Sequence, residues 1–208
     1  MSSLSDEALY VDLVKGRLQL STDQAVYSFD DKYDNFVAAF KAVDTDSLAG
    51  SSFLVLGGGL GSVPYIVEKK HGIYPHFTLV EFDLSVVRLF ARYTRPRLKS
   101  EVDIVSMDAL KYMKRNKHKF DVIVIDLFIH DTIPDQFLEP SFLELCKKAL
   151  HPSGLLLFNW MTVSRLQWTH YNDYKTLVFN KTMHETREVK TKYNYVLIGA
   201  PGPGNEGT

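Results

Sequence analysis

The first stretch able to do chemistry is Phe53, Leu54, Val55 and Leu56 running directly into Gly57, Gly58, Gly59, Leu60, Gly61 and Ser62. A hydrophobic strand that opens into a glycine turn and then a helix lets the backbone approach a ligand and leaves helix N-terminal N–H groups free to meet it. The spacing departs from the dinucleotide fingerprint G-x-G-x-x-G, which would need a third glycine at Ser62 or at Pro64. Glu81 follows 24 residues after Gly57, at the end of a second apolar run. In this topology an acid there accepts hydrogen bonds from both ribose hydroxyls of a nucleoside. Asp108 directly follows a third run, placed either to accept from an adenine amino group or to cap the helix it opens, and Asp83 reads as a cap. A glycine turn with acids at consecutive strand ends outlines an adenosine site without phosphate specificity.

Asp126 closes a fourth run, Val122 to Ile125, and the loop beyond it adds His130, Asp131 and Asp135. The carboxyl edge of a central strand is where open α/β sheets carry reactive groups. Several acids beside a cationic ligand bind an ammonium or sulfonium, or accept a proton from an amine nucleophile. Two basic clusters, Arg88 to Lys99 and Lys111 to Lys119, have the spacing of solvated helix faces rather than of a nucleic-acid surface. His71, His76, His118, His151, His170 and His184 show no metal-ligand spacing, so no metal is expected.

These residues need a scaffold, and the runs Phe53 to Leu56, Phe77 to Val80, Val102 to Val105 and Val122 to Ile125 supply it. The first and fourth are continuously apolar and only Thr78 and Asp103 interrupt the other two, which suits parallel strands covered on both faces, and the first three are followed by helical spacing. A helix ending at a His151 to Gly154 turn, and a fifth strand from Leu155 to Phe158, continue the pattern. The tail predicts a helix from Arg165 to Phe179, a segment near Glu185 to Lys190 and a strand from Tyr193 to Gly199. Only Thr191 and Lys192 separate the last two, which permits a hairpin but no crossover, so the last strand is antiparallel. Ahead of the sheet, Ala8 to Val14 and Leu18 to Tyr27 read as short strands around Lys15 and Gly16, followed by a helix from Tyr33 to Val43. The fold expected is a doubly wound, mostly parallel seven-stranded α/β sheet with an antiparallel last strand, preceded by a small N-terminal β element. The divisions are 1–45 for that element, 46–200 for a nucleoside-binding domain and 201–208 for a disordered tail.

The 208 residues are 45% hydrophobic and 24% charged with a formal net charge of −1, which excludes a disordered chain and any global field drawing in nucleic acid or anionic lipid. One cysteine, Cys146, leaves no internal disulfide, and the first 20 residues hold no signal-peptide core, so a cytoplasmic protein without a membrane partner is expected.

From about Lys15 to Gly199 the chain resembles the polyamine aminopropyltransferases, the spermidine synthase family, whose catalytic domain has the class I S-adenosylmethionine-dependent methyltransferase fold. The resemblance rests on the glycine turn, Val80-Glu81-Phe82-Asp83, Met107-Asp108-Ala109, Asp126, and the Leu150 to Asn159 stretch with its Pro, Gly and Asn. Gly16-Arg17-Leu18-Gln19 and the later Tyr27 are similar to the family's Gly-x-x-Gln and Tyr-His-Glu segments, which border its active site. The resemblance implies cofactor binding by Gly57, Gly58, Gly59, Gly61, Glu81, Asp108 and Ala109. It implies that Asp126 deprotonates or orients the attacking amine, with Gln19 and Tyr27 nearby. Three positions depart from the family: Ser28-Phe29 replaces His-Glu, Leu60 stands where the glycine turn carries an Asp, and Ile129 replaces the second Asp of Asp-x-x-Asp-Pro. If Asp126 alone meets the donor's ammonium, the preference for decarboxylated over intact S-adenosylmethionine is slight, and Leu60→Asp strengthens it. The cofactor expected is S-adenosylmethionine or its decarboxylated form, and the partners are a small nucleoside, a polyamine and, as an open alternative, a second copy of the chain. Aminopropyl transfer, methyl transfer to another acceptor, and a degenerate binding module all remain open at this point.

Overall fold

The computed structural model describes residues 10–21, 26–48 and 50–203. A seven-stranded sheet forms its centre, built from β4 (Ser52–Leu56), β5 (His76–Glu81), β6 (Val102–Ser106), β7 (Phe120–Ile125), β8 (Leu150–Met161), β9 (His184–Lys190) and β10 (Asn194–Ala200). The order is β6-β5-β4-β7-β8-β10-β9, with β10 inserted antiparallel between β8 and β9. Strands β4 to β8 pair in parallel, so the strand order reverses beside β4. That reversal opens a crevice at the carboxyl edge between β4 and β7.

Alternation along the strands splits the core in two. Phe53, Val55, Phe77, Leu79, Val122, Val124 and Leu157 face α1 (Asp34–Lys41) and α2 (Ser62–Ile66), whose Phe36, Phe40 and Ile66 are buried against them. Leu54, Leu56, Ile123, Ile125, Leu156 and Phe158 face the other way, toward Met113 of α4 (Ala109–Arg115), Phe142 and Cys146 of α5 (Pro140–Ala149) and Tyr171 of α6 (Arg165–Tyr174). Burial on both faces is why the runs of the central strands β4 and β7 are continuously apolar, whereas β6 at the edge tolerates Asp103. Between β5 and β6 lies α3 (Leu84–Leu89), capped by Asp83, whose Oδ1 accepts from the Ser85 N–H at 2.7 Å. No helix among the described residues is long and apolar enough to cross a membrane.

Three local readings change. Leu18 to Tyr27 is not one strand: β2 (Arg17–Ser21) and β3 (Val26–Ser28) pair antiparallel, and with β1 (Tyr10–Val14) make a three-stranded sheet, while 22–25 lie outside the described residues. The stretch His151 to Gly154 does not separate helix from strand, because β8 already begins at Leu150. Phe120 pairs with Leu150 and Val122 with Leu155, so the register shifts across these residues at the start of the strand. Of the expected tail, Pro201 is buried and Gly202 lies so near His184 that a Cβ would meet the ring at 2.2 Å, while 204–208 lie outside the described residues.

The small sheet is fastened by charge. Asp30 accepts from both terminal guanidinium nitrogens of Arg97 (3.1 and 2.7 Å) and from the Leu18 N–H (3.0 Å). Asp31 pairs with Arg17 and, at 3.0 Å, with Lys70. Burial opposes the ionisation of Asp31, but hydrogen bonds from Arg17 and Lys70 outweigh it and hold the carboxyl down at about 2. On the apolar side, Leu20 of β2 packs with Leu60 and Val86.

Candidate active site

The same alternation that builds the core carries a polar row to the sheet's carboxyl edge. Leu56 is in register with Val80 and with Ile125, and Ile125 with Phe158, so the next residues along, Glu81, Gly57, Asp126 and Asn159, line up across four strands. Each lies two residues beyond an apolar side chain of the α1 face, namely Leu79, Val55, Val124 and Leu157. Strand register therefore brings residues far apart in the chain to one edge.

Gly57 has φ +86°, and a Cβ there would sit 2.1 Å from the Asp126 carbonyl oxygen, so only glycine lets β4 and β7 stay paired as the chain turns away. Gly61, with φ +78°, starts α2 where a Cβ would strike the Phe90 ring at 2.6 Å. The turn is tied to β5: the Gly57 and Gly58 N–H groups donate to the Val80 carbonyl (2.9 and 3.2 Å), and the Gly59 N–H donates to Glu81 Oε2 at 3.0 Å. Glu81 Oε1 accepts from the Asp83 N–H at 3.0 Å. Burial pushes the Glu81 carboxyl up, against the pull of those two N–H groups, and the nearby Asp83 charge adds to the rise.

A cleft of about 420 Å³ opens here. Gly57, Gly59, Glu81, Asp108, Ala109 and Asp126 all line it. Gly58 and Gly61 do not; they shape the turn from behind. Asp108 takes the cap role: Oδ1 accepts from the Lys111 N–H (2.9 Å) at the start of α4, while Oδ2 accepts from Gln136 (3.1 Å) at the wall of the cleft. Phe82, 58% exposed, offers an aromatic face beside Glu81. Gln19 sits half-buried on β2 and is not among the lining residues. Tyr27 belongs to β3, and its side chain is outside what is described.

Asp126, like Glu81, is a carboxyl whose ionisation the cleft opposes. Burial pushes it up to about 7; hydrogen bonds from Asn159 Nδ2 (2.8 Å) and the Tyr33 hydroxyl (3.5 Å) pull the other way, and the Glu81 charge raises it further. A carboxyl poised near neutrality at the edge of a cleft is suited to exchanging a proton with a nucleophile.

Leu60 corrects the expectation built on it. Its side chain is 1% exposed and packs with Leu20 and Val86 behind the turn, away from the cleft, so an acid introduced there would enter an apolar cluster. The premise for a merely slight cofactor preference is removed with it. Sequence reasoning also missed Tyr33, Gln136 and Asn159 as site residues. Only Asn159 carried a signal, as the polar residue that ends the Leu155 to Phe158 run just as Asp126 ends its own.

A family model for the spermine/spermidine synthase domain matches residues 35–199, which is most of the chain and takes in the large sheet up to the penultimate residue of β10. The chain belongs to the spermine/spermidine synthase family. It is 32% identical over 118 residues to the polyamine aminopropyltransferase of Vibrio vulnificus, covering 54% of this chain and 38% of that protein. The first curated relatives are longer, and the chain spans 38% to 54% of their length. Among solved structures it is similar to a probable spermidine synthase from Corynebacterium glutamicum (TM-score 0.67, 20% identity, 93% of this chain and 76% of that one). It is also similar to human methyltransferase-like protein 13 in complex with SAH (TM-score 0.66, 19% identity, 84% and 83%). At these identities the structural likenesses show the fold, the class I methyltransferase sheet with its antiparallel last strand.

Proposed function

We propose that the cleft binds decarboxylated S-adenosylmethionine, a sulfonium nucleoside, and that the protein transfers its aminopropyl group to an amine of the polyamine class. The observation that carries this reading is the charge of the lining. Five acidic residues, Glu81, Asp83, Asp108, Asp126 and Asp135, line the cleft, with no lysine, arginine or histidine among the described lining residues, and a bound cation would favour the ionised form of those whose burial opposes it. Such walls favour a cation and offer no side-chain cation to the carboxylate of intact S-adenosylmethionine. Asp83 Oδ2 is buried without a partner, an acceptor in want of a donor.

In this reading Glu81 holds the ribose hydroxyls, Asp108 and Gln136 meet the edge of the adenine, and Phe82 covers one face of the base. The bound donor supplies an electrophilic carbon whose bond to sulfur breaks with the electron pair going to sulfur. Asp126 orients the incoming amine and takes its proton, a task open to it when ionised and served by a midpoint near the working pH. A cytoplasmic setting belongs to the same proposal and is supported by Cys146, a fully buried free thiol.

The test is calorimetric titration with methylthioadenosine and with decarboxylated and intact S-adenosylmethionine, followed by mass analysis of products formed with a diamine. The reading expects all nucleosides to bind, the decarboxylated donor more than tenfold tighter than the intact one, and an acceptor heavier by one aminopropyl group. A methylated acceptor would establish the methyltransferase alternative. Absence of binding by a folded protein would leave a degenerate module.

A further inference from the structure

The polar row does not end at Asn159. Val196 of β10 lies directly opposite Asn159, and Asn194, two residues earlier on the same face, reaches it diagonally. Asn194 Nδ2 donates to Asn159 Oδ1 at 3.0 Å, and Asn159 Nδ2 donates to Asp126 Oδ1 at 2.8 Å. Asn159 is 0% exposed. The Thr191 to Asn194 turn holds the first link: the Thr191 N–H donates to the Asn194 carbonyl (2.8 Å), and the Asn194 N–H donates to Thr191 Oγ1 (3.3 Å).

The direction of the chain follows from its chemistry. An ionised carboxylate only accepts, so Asn159 must turn its amide nitrogen to Asp126, which leaves its oxygen facing β10. That oxygen needs a donor, and Asn194 provides one. Were Asn194 unable to donate, Asn159 would be free to rotate its amide and present oxygen to Asp126, a contact that only the protonated acid tolerates.

We propose that Asn194 is a positioning residue for Asp126: through Asn159 it fixes which end of a buried amide meets the carboxyl, and so favours the ionised form that accepts the amine proton. This rests on the catalytic role given to Asp126 above, but its test does not need a ligand. The other titratable groups around the carboxyl are Glu81 from β5, Asp83, Asp108 and Asp135 along the cleft, and Tyr33 from the entry to α1. None lies on β8 or β10, so loss of the donor in Asn194→Ala acts through the amide.

The experiment is a carboxyl-carbon NMR titration of the full chain without ligand, with the Asp126 signal assigned by its loss in Asp126→Asn. Removing the donor in Asn194→Ala should raise the Asp126 midpoint by about 0.5 to 1 pH unit, a three- to tenfold loss of ionised fraction below it. Asn194→Asp keeps the shape but replaces the donor by acceptors, which pulls the Asn159 amide nitrogen toward β10, and it adds a negative charge that opposes ionisation of Asp126, so its shift should be larger than that of the alanine variant. Asn194 is half-buried at the first residue of a strand, and a folded uncharged variant, Asn194→Ala or Asn194→Leu, decides the test. A midpoint unchanged within about 0.2 unit in a folded uncharged variant, or one lowered in Asn194→Asp, would overturn the proposal. Failure of nucleosides to bind would instead remove the proposed function while leaving this titration readable.

Discussion

Asp126→Asn should make the unliganded protein more stable at neutral pH, and by an amount that depends on pH. The folded carboxyl titrates at about 7 against an ordinary value of 3.8. Below pH 4 the group is protonated in both folded and unfolded chains and has no effect on the difference between them. From pH 4 to 7 the unfolded chain gives up its proton while the folded chain keeps it, so stability falls with rising pH at about 1.4 kcal/mol per unit, and above pH 7 the full loss is present. Three units would amount to about 4 kcal/mol; allowing for solvent in the cleft, about 2 to 4 is expected. Asparagine retains an oxygen to accept from Asn159 and carries no charge to desolvate. For a chain of this size the gain corresponds to a rise in Tm of roughly 5 to 15 °C at pH 8, shrinking towards zero at pH 4. Paired thermal melts across that range measure it. The same variant should lose about 10² to 10⁴ in any transfer rate, since it cannot accept a proton. A stability difference that stays constant from pH 4 to 8, or no gain at pH 8, would refute the burial argument for Asp126.

Glu81→Ala removes the acceptor proposed for the ribose hydroxyls and should weaken methylthioadenosine binding about 10- to 150-fold, from about 1.5 to 3 kcal/mol, by titration calorimetry; an affinity within twofold of the parent in a folded variant would remove Glu81 from the ribose role. Gly57→Ala places a Cβ 2.1 Å from the Asp126 carbonyl oxygen at a φ of +86°, and should cost more than about 3 kcal/mol in denaturant unfolding or prevent folding. Leu60→Asp should lower stability by at least about 3 kcal/mol without selecting for the decarboxylated donor, because its carboxyl would replace a side chain packed on Leu20 and Val86; a stable variant with sharpened donor choice would show that the turn faces the ligand after all.

The large sheet was legible because both of its faces are covered. Phe53 to Leu56 and Val122 to Ile125 are apolar at every position, which a half-exposed strand could not be, and the two-residue link between β9 and β10 forces their antiparallel pairing. The N-terminal element was less legible for the opposite reason. Its strands are short and carry exposed Tyr10, Leu13 and Val26, and its attachment relies on Asp30 and Asp31 reaching Arg97 and Lys70, residues whose meeting no local pattern announces. The register shift at the start of β8 was hidden because a His-Pro-Ser-Gly sequence has the composition of a turn, and only the pairing of Phe120 with Leu150 keeps it within the sheet.

For the site, the visible residues are those that end an apolar run. Glu81 and Asp126 each stand two positions beyond a buried side chain, so the periodicity that names the strand also says which face the acid takes. Asn159 obeys the same rule, but an amide is silent until the register puts it beside a carboxyl, because what it contributes is the direction of a hydrogen bond rather than a charge. Tyr33 and Gln136 follow no strand rule at all: one enters from the segment before α1, the other from the loop after β7, and each meets its acid across 93 and 28 residues of chain respectively. Leu60 shows the converse error. A position in a motif was read as a position in the site, yet the left-handed glycines on either side of Leu60 turn the backbone there, and its side chain leaves the ligand edge for the apolar contact with β2. Which residues of the glycine turn reach the cleft is therefore set by the side of the sheet's edge that the backbone turns each one to face: Gly57 and Gly59 line it and Leu60 does not.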